Sequence, residues 1–112
     1  MKKIEAIIRP ERLPFVRKAI EEAGYVGLTL TDVRGHGRQR GVTQTYRGTT
    51  FTVDILNKLK IELVVQDADA PRLVKAVVEA ARTGQVGDGK VFITTIDDAV
   101  RVRTGESGNA AL

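Results

Sequence analysis

Along Lys2–Arg9 the chain alternates Ile4, Ala6 and Ile8 with Lys3, Glu5, Ile7 and Arg9, the period-two pattern of a half-buried strand. Pro10 then pre-sets a helical φ where its missing N–H costs nothing. Leu13, Val16, Ile20 and Ala23 follow at helical spacing, and Gly24 is the expected C-terminal cap. Because Pro14 belongs in a first turn, this helix should begin nearer Leu13 than Pro10. Leu28–Arg34 alternates again, with Leu28, Leu30 and Asp32 opposite Thr29, Thr31 and Val33. After a long interval, Leu59–Gln66 sets Ile61, Leu63 and Val65 against Lys60, Glu62 and Val64, a third strand. Asp67 and Asp69 are candidate caps for a second helix, whose stripe is Leu73, Val74, Val77, Val78 and Ala81 and whose stop is Gly84. Val91–Ile96 is a fourth strand, and Val100–Arg103 a short fifth.

Strand, helix, strand, long loop, strand, helix, strand is the order of an α+β, ferredoxin-like βαββαβ sandwich, with two helices on one face of an antiparallel sheet. The opposite face would carry Ile7, Val64 and Phe92 beside Lys60 and Glu62. Two helices cannot cover it, so an oligomer in which sheets meet is the simplest cover, with a solvated amphipathic face as the alternative.

Three stretches carry candidate chemistry. Gly35–Lys58, GHGRQRGVTQTYRGTTFTVDILNK, far exceeds the roughly 4–6 residues of an ordinary connection and reads as an irregular working loop. Gly35, Gly37 and Gly41 allow close ligand approach. Arg38, Gln39 and Arg40 supply donors, and Tyr46, Phe51, Val53, Ile55 and Leu56 give an apolar second half suited to docking. Thr83–Lys90, TGQVGDGK, matches the spacing G-x-x-x-x-G-K. Val91 stands at the Ser/Thr position, however, and a strand follows where a P-loop needs a helix. What remains is an anion-binding nest of glycine-rich backbone N–H groups with Lys90 beside it, or an ordinary turn. In Arg101-Val102-Arg103, strand geometry would put both guanidiniums on one face, suited to polyphosphate oxygens or simply to a charged edge.

Composition narrows the classes. The 112 residues fit one domain with its own core. The absence of cysteine removes disulfides and thiolate metal sites. No apolar run of about 18 residues occurs, so a soluble, cytoplasmic protein without direct membrane insertion is expected. The net charge of +4 comes from 18 basic and 14 acidic residues without a long basic run, a balance that fits small phosphorylated ligands as well as nucleic acid. The single histidine, His36, fits packing or a nucleotide edge better than catalysis.

The spans MKKIEAIIRP, GRQRGVTQTYRGTTF, TGQVGDGKVF and VRVRTGES together resemble the PII signal-transduction proteins of nitrogen metabolism, over nearly the whole chain as a single 1–112 domain. The resemblance implies a ferredoxin-like homotrimer with a protruding T-loop at about residues 37–55, a C-terminal strand and tail at about 99–112, and nucleotide sites between subunits. It implies a sensor and not an enzyme, one that binds ATP or ADP, and 2-oxoglutarate with Mg2+ and ATP. By matching position, the nucleotide would meet Thr29, Gly35, Gly37, Arg38, Gln39, Glu62, Val64, Gly87, Asp88, Gly89, Lys90, Arg101 and Arg103. The keto acid would meet Arg9, Gln39, Gly41, Lys58 and Gly87, and Gln39 would help hold Mg2+. Val42, Tyr46, Arg47, Thr49 and Phe51 would face the regulated partner, an ammonium transporter by preference or a nitrogen-assimilation enzyme. Phe51 stands where many bacterial members carry a nucleotidylated tyrosine, which excludes that modification here. Thr49 replaces a serine phosphorylated in some cyanobacterial members, and His36 and Arg40 stand where phenylalanine and lysine are frequent.

Two other classes share the topology. An RNA-binding module stacks bases on paired aromatics of its central strands, yet Phe92 is the only aromatic on an expected strand. An acylphosphatase-like enzyme needs a catalytic Arg–Asn arrangement that does not stand out.

Overall fold

The computed structural model describes residues 1–36, 42–46, 48–53 and 55–112, with 42–46 and 49–53 described through their backbone. The strands are β1 (Lys2–Ile8), β2 (Thr29–Gly35), β3 (Val42–Tyr46), β4 (Thr49–Val53), β5 (Leu56–Val65) and β6 (Gly89–Thr95). The helices are α1 (Leu13–Glu22) and α2 (Ala70–Ala81), each entered through a 3-10 turn, Pro10–Arg12 and Asp67–Asp69. One sheet has the order β2-β5-β1-β6, antiparallel throughout. This is the strand order of the βαββαβ sandwich.

The core follows the alternation. Ile4, Ala6 and Ile8 of β1 and Leu59, Ile61, Leu63 and Val65 of β5 are buried against Val16 and Ile20 of α1 and Leu73, Val77 and Ala81 of α2. Each large aliphatic side chain contributes about 1.5–3 kcal/mol by leaving water. Neither outer strand buries a residue fully; Leu30 on β2 is 44% exposed and Ile93 on β6 is 54% exposed. Two helices therefore cover the two central strands and leave the flanks open.

Helix ends are fixed locally. Tyr25 N–H donates to the Ile20 carbonyl and Gly24 N–H to that of Glu21, while Gly24 takes φ +96°. That is a complete Schellman ending, as the glycine implied. Arg12 donates through Nε (3.0 Å) and Nη2 (2.8 Å) to the Ala80 carbonyl, placing a cation at the C-terminal end of α2, and stacks 4.0 Å from the Phe15 ring. Tyr25 donates to Asp69 Oδ2 at 2.5 Å and accepts from Gln66 N–H, while Arg72 bonds Asp69 and the Ala23 carbonyl, joining the two helix termini.

Four expectations are corrected. Asp67 and Asp69 make no side-chain cap to α2; Asp67 pairs with the Met1 amine at 2.9 Å and Asp69 is taken by Tyr25 and Arg72. The second helix stops at Ala81 because Arg82 turns extended (ψ 132°), not at Gly84. The interval read as irregular contains the β3–β4 hairpin, pairing Val42 with Val53 through to Tyr46 with Thr49, with Gly48 at φ +78° in its turn. Its threonines, valines and aromatics are strong strand formers that the glycine-rich opening masked. Finally, Val100–Arg103 is not a strand. Val100 makes one isolated bridge to Ser107, and residues 102–104 form a turn closed by Gly105 N–H on the Arg101 carbonyl. The two arginines thus do not share a strand face. No helix among the described residues is long and apolar enough to cross a membrane.

Candidate functional site

Sheet register assembles the site. Where β1 ends, Ile8 lies opposite Leu59 on one side and Gly89 on the other. One residue further, Arg9 falls between Lys58 and Asp88. Arg9 Nε meets Asp88 Oδ1 at 3.0 Å, Arg9 Nη2 donates to the Val86 carbonyl at 2.8 Å, and Lys58 Nζ donates to the Gly87 carbonyl at 2.7 Å.

The loop before β6 folds around one carboxylate. Asp88 Oδ2 accepts the Thr83 and Gly84 backbone N–H groups, each at 2.8 Å, and Oδ1 accepts the Thr83 hydroxyl as well as Arg9. These donors, the Thr83 hydroxyl first, hold the Asp88 carboxyl far below the usual carboxylate range. Burial, and then the Arg9 charge, lower the Lys58 ammonium from its ordinary value. Gly89 is required by geometry: at φ +104° a Cβ there would stand 1.7 Å from the Ile7 carbonyl oxygen. Thr83 is the residue that the sequence reading missed. A Thr-Gly five residues ahead of an Asp in a loop is the pattern that signals such side-chain-to-backbone bonding.

On the sheet face away from the helices, Thr29 lies opposite Glu62, Glu62 opposite Glu5, and Glu5 opposite Phe92. The adjoining row is Thr31, Lys60, Ile7 and Lys90. Lys60 Nζ reaches Glu62 at 3.4 Å and Glu5 at 3.7 Å. A hydrogen bond with Glu5 and a second with Lys60 keep the Glu62 carboxyl below its ordinary range. Val64 sits one row along, opposite Lys3, and Gly35 ends β2 opposite Leu56. His36 is exposed within the single chain.

Thus Arg9, Lys58 and the Gly87–Lys90 turn come together, as do Thr29 and Glu62. Arg101 and Arg103 do not join them within the chain. β6 runs from Gly89, opposite Ile8, to Thr95, opposite Lys2, roughly 20 Å at strand rise, and both arginines follow from its far end. Arg101 is engaged by Glu106 (3.7 Å) and the Leu112 carbonyl (3.2 Å). Among the described residues no hydrogen bond or ion pair joins either arginine to residues 83–90. A shallow cleft of about 210 Å3, lined by Val78, Arg82 and Lys90 among others, adjoins the turn. Gly37, Arg38, Gln39, Gly41 and Arg47 lie outside the described residues, while Val42, Tyr46, Thr49 and Phe51 fall on the hairpin strands.

Fold and site define a ferredoxin-like α+β domain with a basic, glycine-built turn at one end of its sheet and a projecting hairpin between the second and third strands of that sheet. The family model described as nitrogen regulatory protein P-II matches residues 1–106. The chain is 54% identical over 112 residues to nitrogen regulatory protein P-II 2 of Methanothermobacter thermautotrophicus, covering all of this chain and 97% of that relative. It is 53% identical to nitrogen regulatory protein P-II of Synechocystis sp. and 51% to that of Rhodospirillum rubrum, covering both partners in full. The chain belongs to the P-II nitrogen regulatory protein family.

Proposed function

We propose that this protein is a homotrimeric, cytoplasmic sensor that binds ATP or ADP, and 2-oxoglutarate together with Mg2+ and ATP. It controls a partner through the T-loop, whose described part includes the β3–β4 hairpin. Its role is regulation, not turnover. An ammonium transporter is the favoured partner, with a nitrogen-assimilation enzyme as the other candidate. The observation that carries the reading is the split of the basic groups. Backbone donors and Lys90 stand at one end of the sheet, and the segment carrying Arg101 and Arg103 leaves from the other, so a polyphosphate clamp using both sets is most simply built from two copies of the chain. The 210 Å3 cleft is also below the roughly 300–1,000 Å3 usual for a ligand pocket. The exposed flanks at Leu30, Phe92 and Ile93 supply apolar surface for subunit contact.

The donor set fits these ligands. Glycine-turn N–H groups and Lys90 suit phosphate oxygens, and Lys58 beside the Gly87 backbone, with Arg9 at its edge, suits a dicarboxylate. Thr29, Glu62 and the Val64 backbone would flank adenine. Gln39 would help hold Mg2+, which would supply charge neutralisation between the two ligands. Phe92 is the only aromatic on the four strands of the main sheet, which therefore lacks the paired stacking platform of an RNA-binding sheet, and this weighs against nucleic acid. Sedimentation together with calorimetry tests the reading. A trimer binding ADP and ATP in competition is expected, and a monomer with no nucleotide heat would overturn it.

A further inference from the structure

We propose that Arg9, Thr83 and Asp88 form a positioning unit that fixes the Gly87–Lys90 turn in its anion-receiving shape, so that Arg9 serves the phosphate through the turn and not by touching it. The inference rests on the reading of this turn as the phosphate seat. A carboxylate at an anion site is a repulsive neighbour unless it is neutralised and turned away. Asp88 is both. A carboxylate has about four acceptor positions, and four donors occupy Asp88: Arg9 Nε, the Thr83 hydroxyl and the N–H groups of Thr83 and Gly84. Its charge is met by a guanidinium whose side chain is only 15% exposed.

The same contacts aim the backbone. In a trans peptide the C=O and the N–H point in opposite directions. Arg9 Nη2 holds the Val86 carbonyl at 2.8 Å, so the N–H of Gly87 points away from Arg9. Lys58 holds the Gly87 carbonyl at 2.7 Å, so the N–H of Asp88 points away from Lys58. Two successive N–H groups are thereby presented on the far side of the turn, the arrangement of an anion nest. Gly87 at φ +101° and Gly89 at φ +104° allow the chain to hold that shape. Thr83 closes the unit from the other end, its hydroxyl also accepting the Gln85 N–H at 3.2 Å.

The test compares the full chain with Arg9→Gln, Thr83→Val and Thr83→Ser, using ADP titration and amide hydrogen exchange over residues 84–90. Arg9→Gln and Thr83→Val should each weaken ADP about tenfold or more, the scale of one charge-assisted bond, and speed exchange in the free protein. Thr83→Ser keeps the hydroxyl and should bind within about threefold of the parent. The double variant should lose little more than the worse single one, because the three residues act as one unit. Unchanged ADP affinity in Arg9→Gln, with only 2-oxoglutarate weakened, would make Arg9 a direct ligand and overturn the proposal. Should the parent bind no ADP, the phosphate reading itself falls. Exchange then decides the unit alone, and equal rates in parent, Arg9→Gln and Thr83→Val would end it.

Discussion

Replacing Gly89 with alanine puts a methyl carbon 1.7 Å from the Ile7 carbonyl oxygen at a φ of +104°. Strand β6 must then shift off β1. A loss of about 3 kcal/mol or more is expected from combined strain and overpacking, read as a lower urea midpoint. Tyr25→Phe removes one donor from the Asp69 clasp and should cost about 1–2 kcal/mol by the same assay. Asp88 carries a sign that can be checked. Its folded carboxyl titrates below its unfolded value, so the folded state binds fewer protons between the two and gains stability as pH rises. That contribution is complete above about pH 4, the ordinary aspartate range, and is lost as pH falls toward the folded value. Asp88→Asn should therefore lower the urea midpoint at pH 7, with the gap to the parent narrowing at pH 3. A gap independent of pH would mean that the carboxylate charge is irrelevant to the loop.

At the level of elements, the hairpin and the sheet divide the labour. Deleting Val42–Thr52 should abolish partner capture while leaving ADP affinity and oligomeric state in place, because no strand of the main sheet lies in that span. A change of oligomeric state on deletion would refute this division. The main elements were legible because burial and hydrogen bonding impose one period on each: two on β1 and β5, 3.6 on α1 and α2. The hairpin was not, since its strands form a separate two-stranded sheet and lack the sustained apolar alternation that marks a strand over a core. Val100–Arg103 failed for the opposite reason. Four alternating residues suffice for a pattern but not for a ladder, and Gly105 at φ +73° turns the chain back. In the candidate site, the grouping of Lys90 with the glycine turn could be read from spacing. The Thr83–Asp88–Arg9 contacts could not, because residues 9 and 88 meet only through the register of β1 between β5 and β6.

For the whole molecule, the split of basic groups makes a prediction about mixtures. Arg101→Ala or Arg103→Ala should each weaken ATP by roughly 1.5–3 kcal/mol, as should Lys90→Ala. If the site lies between copies, co-assembling an Arg103→Ala chain with a Lys90→Ala chain should regenerate some sites of parental affinity, seen as a tight phase in calorimetry. A mixture that binds no better than either variant would place the whole site in one chain. ATP and 2-oxoglutarate should bind cooperatively in the presence of Mg2+, with a reciprocal coupling of about 1–3 kcal/mol, whereas ADP and 2-oxoglutarate should not. Equal 2-oxoglutarate affinities with either nucleotide would sink that coupling.

The junction at the end of β1 also bears on how the chain reaches this shape. Arg9 and Asp88 are 79 residues apart in sequence, and Lys58 and Gly87 are 29 apart, so neither contact exists until β5 and β6 have both docked on β1. Such long-range closures are late and slow events in folding. Nucleotide would then have nothing to grip on a half-formed chain: adding it should leave the refolding rate unchanged and slow unfolding instead, prolonging the life of finished molecules.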